Sequence, residues 1–141
     1  MDIGEQFAIE LGRVGRHWRK RLDERLKHAD LTQARWLALL HLSRTGPMSQ
    51  RELAELLSVE GPTLVRVLDK LEQQGLVERR ASGEDRRVKL IHLAQAAHPV
   101  LDEITSISTG LRNELLAQVA DDELRAAWKV LKEIGDRLEN L

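Results

Sequence analysis

The hydrophobic period changes twice along this chain, and that switch restricts its possible folds more than any other feature. From about Ile3 to Lys27 apolar residues fall at Phe7, Leu11, Val14, Trp18, Leu22 and Leu26, spacings of three and four that share one helical face. Arg13, Arg16, Arg19, Lys20 and Arg21 stand between them. Thr32 suits the N-cap of a second helix through Trp36, Leu37, Leu39, Leu40 and Leu42, which Gly46-Pro47 stops. Ser49-Gln50-Arg51-Glu52 has the form of a capping box opening a short third helix with Leu53, Ala54, Leu56 and Leu57 inward. After a break at Ser58–Gly61, Pro62 sits in the first turn of a fourth helix. That helix points Leu64, Val67 or Leu68, and Leu71 inward, and Gly75 ends it.

At Gly75 the period drops to two. Leu76–Arg80 and Val88–Leu93 alternate as strands, and Ser82-Gly83-Glu84-Asp85 between them has turn chemistry, so the pair is predicted to be a hairpin with a charged tip. The helical period then returns. Leu101, Ile104, Leu111 and Leu115 share a face between about Pro99 and Val119. Asp121 or Asp122 is expected to cap a last helix carrying Leu124, Trp128, Leu131, Ile134, Leu138 and Leu141, a spacing close to a coiled-coil seam.

The expected fold is therefore mainly α with a small β-hairpin wing: a winged helix-turn-helix flanked by long dimerisation helices. We divide it into an N-terminal helix (1–29), a winged lobe (30–94) and C-terminal helices (95–141), intertwined as one domain. The terminal helices are too apolar to be covered by so small a centre. They either pack on each other within one chain or, the better fit to an apolar residue on nearly every turn, build a bundle shared by two chains.

Composition removes several function classes. There is no cysteine among the 141 residues, which excludes disulfides, thiol catalysis, Fe–S clusters and thiol redox sensing. Aromatics are 3%, namely Phe7, Trp18, Trp36 and Trp128, too few for a reader that stacks single-stranded bases. His17, His28, His41, His92 and His98 contain no i,i+4 pair, which argues against a zinc site. No phosphate loop, nucleophile elbow or paired carboxylates suggest an enzyme, and no cofactor is expected. Residues 1–10 carry no Lys or Arg, unlike a signal peptide, and the longest apolar run is Trp36–Leu40, so a cytoplasmic protein off the membrane is expected.

The net charge of −1 conceals a division. Residues 1–60 are net +1, residues 61–93 net +2 and residues 94–141 net −4. A positive turn-helix and hairpin suit double-stranded DNA, whose phosphates supply most of the raw affinity. In a helix-turn-helix the start of the second helix meets base edges in the major groove. Here that segment is Gly61, Pro62, Thr63, Val65 and Arg66. Thr63 can bond a base or phosphate, Val65 can touch a thymine methyl, and Arg66 can make the bidentate guanine contact. At the hairpin tip Asp85 is placed to fix an arginine, so that Arg86 or Arg87 enters the minor groove. Ser49, Lys70, Arg79 and Lys89 complete the candidate DNA-facing set.

Three runs carry a family likeness: Leu53-Ala54-Glu55-Leu56-Leu57; Glu60 through Val77, which contains Pro62-Thr63-Leu64-Val65-Arg66; and Asp85-Arg86-Arg87-Val88-Lys89-Leu90 with Ile91-His92-Leu93. Together they resemble the MarR family of winged-helix transcription regulators. Arg16-His17-Trp18-Arg19 and Leu31-Thr32-Gln33-Ala34-Arg35-Trp36 are similar to its SlyA-type subgroup. The resemblance implies a homodimer, often a repressor, on a pseudo-palindromic operator. The recognition-helix role falls on Pro62, Thr63, Val65 and Arg66, and the wing role on Asp85, Arg86 and Arg87. It also implies a small anionic aromatic effector such as salicylate. That effector would be held by Arg16, Trp18, Arg19 and Trp36, with Leu40 or His41 lining the pocket. Position 61 departs from the pattern, since relatives often carry a polar side chain there. Leu93–Ala97 lacks the family's usual Thr and Gly, which leaves the start of the fifth helix open. The alternative is a helical interaction protein of the same fold that does not respond to a ligand.

Overall fold

A computed structural model describes residues 1–27 and 30–141. The chain orders itself as α1 (Ile3–Leu26), α2 (Gln33–Thr45), β1 (Met48–Ser49), α3 (Gln50–Leu57), α4 (Gly61–Gln73), β2 (Val77–Ala81), β3 (Lys89–Leu93), α5 (Ala97–Leu116) and α6 (Asp121–Glu139). It divides into two compact units, residues 1–108 and 109–141.

Local chemistry explains most boundaries in the first unit. Asp2 caps α1, its carboxylate accepting from the Glu5 amide at 2.8 Å. Thr32 occupies the α2 N-cap, but its side chain makes no capping bond. Gly46 stops α2 at φ +87°, a left-handed conformation that favours glycine. The α3 box forms with one change. The Ser49 hydroxyl accepts from the Glu52 amide at 3.1 Å and donates to the Glu52 carboxylate at 3.0 Å, so Glu52 meets the hydroxyl instead of the Ser49 amide. Ser58, left-handed at φ +54°, makes the turn between α3 and α4.

The sheet corrects the expected two-stranded hairpin. It has three antiparallel strands in the order β1-β3-β2, with Met48 opposite Ile91 and Val77 opposite Leu93. The added strand is two residues long and pairs with a segment some forty residues on, so no local pattern announces it. It closes the otherwise open edge of β3 and anchors the wing to the start of α3.

The core of this unit gathers Leu26, Trp36, Leu39, Leu53, Leu64, Leu68, Leu71, Val77, Ile91 and Ile104, all nearly sealed from solvent. On α4 Leu68 takes the core position and Val67 packs at its margin. Each buried leucine contributes roughly 1.5–3 kcal/mol, which fixes the rotation of α4 and so decides which residues it presents to solvent.

In the second unit α6 begins at Asp121 with Ala120 at its N-cap. Asp121 and Asp122 are therefore first-turn residues, where their charge suits the positive helix end, and neither is the expected cap. No residue of α6 is buried; Trp128 is 61% exposed and Leu131 and Leu138 are open as well. On α1, within the first unit, Ile3, Phe7, Leu11 and Val14 are exposed too. No described helix is long and apolar enough to cross a membrane.

Candidate nucleic-acid interface

The first half of α4 is built to face outward. Leu64 is fully buried, and the helical turn then directs Val65 and Arg66 to the opposite side, where Gly61 and Pro62 are also exposed and Thr63 is half-buried. Arg66 makes no hydrogen bond or ion pair with any described residue, although acidic side chains are common on this lobe. Lys70 lies one turn further along the same face and is exposed. Glu60 at the N-cap makes no side-chain bond, so the first-turn amides are left uncapped by it.

The wing tip is organised by Asp85. Its carboxylate accepts from the Arg87 amide at 3.0 Å and lies 3.4 Å from Arg87 Nε. Of the two arginines that the sequence left open, Arg87 is the one Asp85 orients, and the Arg87 side chain is still 91% exposed. Arg86 and Lys89 are exposed beside it. Arg80 pairs with Glu78 on the outer face of β2.

Two predicted contacts have their polar groups engaged inside the protein. The Ser49 hydroxyl is occupied in the α3 box. Arg79 shares the face of β2 that buries Val77, and its side chain is only 19% exposed. Its guanidinium reaches Asp69 at 2.9 Å, Glu72 at 3.0 Å and the Val65 carbonyl at 3.4 Å. Asp69 and Glu72 were absent from the predicted site. The signal was present, since strand alternation puts residue 79 inward with Val77, and a charge on that side requires partners.

The ligand-site residues lie on α1 and α2. Arg16 and Arg19 are exposed, Trp18, Leu40 and His41 are half-buried, and Trp36 is sealed in the core at 2% exposure. Arg16 folds back along α1 so that its Nη1 lies 3.0 Å from where a side chain at Gly12 would begin. The Trp36 indole N–H is buried with no acceptor, an uncommon and costly state. His41 is held below the ordinary histidine pKa, first by burial and then by the charges of Arg44 and Arg19. Arg44 and Arg19 are thus close enough to His41 to act on its charge, and the sequence did not single out Arg44. His28 lies outside the described residues; among those described, no group of three His, Cys, Asp or Glu could hold a metal.

The MarR family model matches residues 31–89, from just before α2 to the first residue of β3. Among solved structures, transcriptional regulator PA3341 is 46% identical, with a TM-score of 0.88 over 96% of this chain and 99% of its own. The regulator BldR from Sulfolobus solfataricus is 25% identical with a TM-score of 0.82, each chain covered in full. A point mutant of MarR from E. coli, complexed with operator DNA, is 25% identical with a TM-score of 0.77 over 95% of this chain and 99% of its own. The winged architecture, the lobe and the full-length likeness agree: this chain belongs to the MarR family of transcriptional regulators.

Proposed function

We propose that the chain acts as a homodimer that binds a pseudo-palindromic operator, each copy laying α4 in the major groove and its wing in the adjacent minor groove. The observation that carries this reading is Arg66, an exposed guanidinium without a partner among the described residues, on a helix whose rotation is set by three buried leucines. Thr63 and Val65 flank it, Lys70 reaches phosphate, and Asp85 steadies Arg87 for the minor groove beside Arg86 and Lys89. Ser49 and Arg79 support these contacts without making them. The mutant MarR from E. coli is complexed with operator DNA, which supports DNA as the partner. A gel shift with DNA from upstream of the chain's own gene tests it. Wild type should shift that fragment, and Arg86→Ala/Arg87→Ala should weaken binding at least about tenfold, since each lost groove contact removes on the order of 1–3 kcal/mol. Equal binding by the double variant would reject the wing's role.

The dimer is favoured because α6 and the start of α1 each expose several large apolar side chains, whose contact with water is unfavourable and which mark an interaction surface. A cytoplasmic site of action follows from the regulatory role, and repression is the family's usual mode.

The same reading includes a response to a small anionic aromatic compound, as the resemblance to the MarR family implies. Arg16 and Arg19 suit its carboxylate, half-buried Trp18 its ring, and Leu40 and His41 its flank; Trp36, sealed in the core, meets the ring only if the core opens at that point. The positive charges of Arg19 and Arg44 around His41 support an anion there. Burial, and then the charges of Arg44 and Arg19, hold the His41 pKa below that of an ordinary histidine, so it gains charge only as the solution is acidified through and below the usual histidine range. Salicylate stays anionic over that range, so its binding, followed by tryptophan fluorescence, should tighten on acidification. His41→Gln should flatten that dependence. No detectable binding would leave these residues as core, and pH-independent binding would remove His41 from the site.

A further inference from the structure

The inward face of a wing strand is ordinarily apolar, yet β2 places an arginine there. Val77 and Arg79 alternate onto the same side, and α4 meets Arg79 with two carboxylates from successive turns. Its guanidinium uses both terminal nitrogens, one on Glu72, the other on Asp69 and the Val65 carbonyl. Val65 is adjacent to Arg66 in the half of α4 that faces outward. One planar fork therefore grips that helix at 65, 69 and 72 from a strand that leads directly into the wing. A surface ion pair contributes little, but here the arginine is largely buried, although its carboxylate partners are half-exposed, and the planar guanidinium holds two carboxylates and a carbonyl at once, an arrangement that gives geometric specificity.

We propose that Arg79 is a positioning residue that locks the recognition helix to the wing and so sets the spacing between the major-groove and minor-groove contacts. This rests on the DNA reading above. Its consequence runs against simple electrostatics. Asp69 and Glu72 are negative groups on a DNA-facing lobe, and removing them should by charge alone strengthen binding. As partners of the clamp they favour the specific complex.

Binding is measured by fluorescence anisotropy across a salt series, on upstream DNA and on a scrambled fragment of the same composition. Wild type is compared with Arg79→Lys and with Asp69→Asn/Glu72→Gln. Lysine keeps the charge but cannot hold two carboxylates and a carbonyl in one plane. Both variants should lose about tenfold or more on upstream DNA, the equivalent of one misplaced base contact. Arg79→Lys should keep the wild-type salt slope, and the neutralised pair should bind scrambled DNA as well as wild type or better. Circular dichroism confirms that both variants are folded. Wild-type behaviour of Arg79→Lys, or tighter binding of upstream DNA by the neutralised pair, would overturn the clamp while leaving the DNA reading intact. A wild type that does not distinguish the two fragments would overturn the DNA reading, and the clamp's role with it.

Discussion

Arg66→Ala should remove most sequence-specific DNA binding and leave the fold intact. The side chain is exposed and has no described partner, so its loss should change stability by less than about 0.5 kcal/mol. A bidentate arginine–guanine contact supplies roughly 1–3 kcal/mol of discrimination. In the proposed dimer two copies act, so the expected loss is roughly 2–6 kcal/mol, about 30-fold to 20,000-fold in Kd. The salt slope separates this from a phosphate contact: a base contact leaves it unchanged, whereas each lost phosphate contact lowers it by about one. Melting curves and a salt series on upstream DNA check both points. Wild-type affinity in the variant would refute α4 as the reading helix.

The second large effect is expected at Trp128. Its exposed portion offers on the order of 100–150 Å² of apolar surface, roughly 3 kcal/mol per copy when covered. Trp128→Glu loses that gain in both copies and would bury a charge in an apolar contact. Dimer affinity should weaken by roughly four decades or more. Sedimentation at micromolar concentration should give about twice 16.1 kDa for wild type and a single 16.1 kDa chain for the variant. Operator binding should collapse in parallel, because a monomer engages one half-site and loses the effective concentration that the second lobe provides. A wild-type monomer, or a dimer undisturbed by Trp128→Glu, would reject the shared bundle.

Much of the lobe was legible because its signals are local. Pro62 and Gly75 bracket α4, Ser49 and Glu52 open α3, and the change to a two-residue period marks the hairpin. Asp85 beside two arginines announced an ion pair. Two of the misses share one cause, which is dependence on distant partners. Met48–Ser49 becomes a strand only because Leu90 and Ile91 pair with it. Arg79 counted as one more basic residue for DNA until α4 brought Asp69 and Glu72 to it. The start of α6 was misjudged by a residue for a different reason: Ala120, a poor capping residue, holds the N-cap.

Taken by itself, then, the sequence determined the helices to within a residue or two at their ends, the wing hairpin, the winged order and the site of the positive charge, since periodicity, capping and turn chemistry act over a few residues. Only the tertiary structure decided which arginines are available. Arg66 points away from three buried leucines, Arg87 is steadied by Asp85, and Arg79 is held within the lobe by two carboxylates. An arginine's chemistry is the same at each position; packing sets whether its charge faces solvent or a partner.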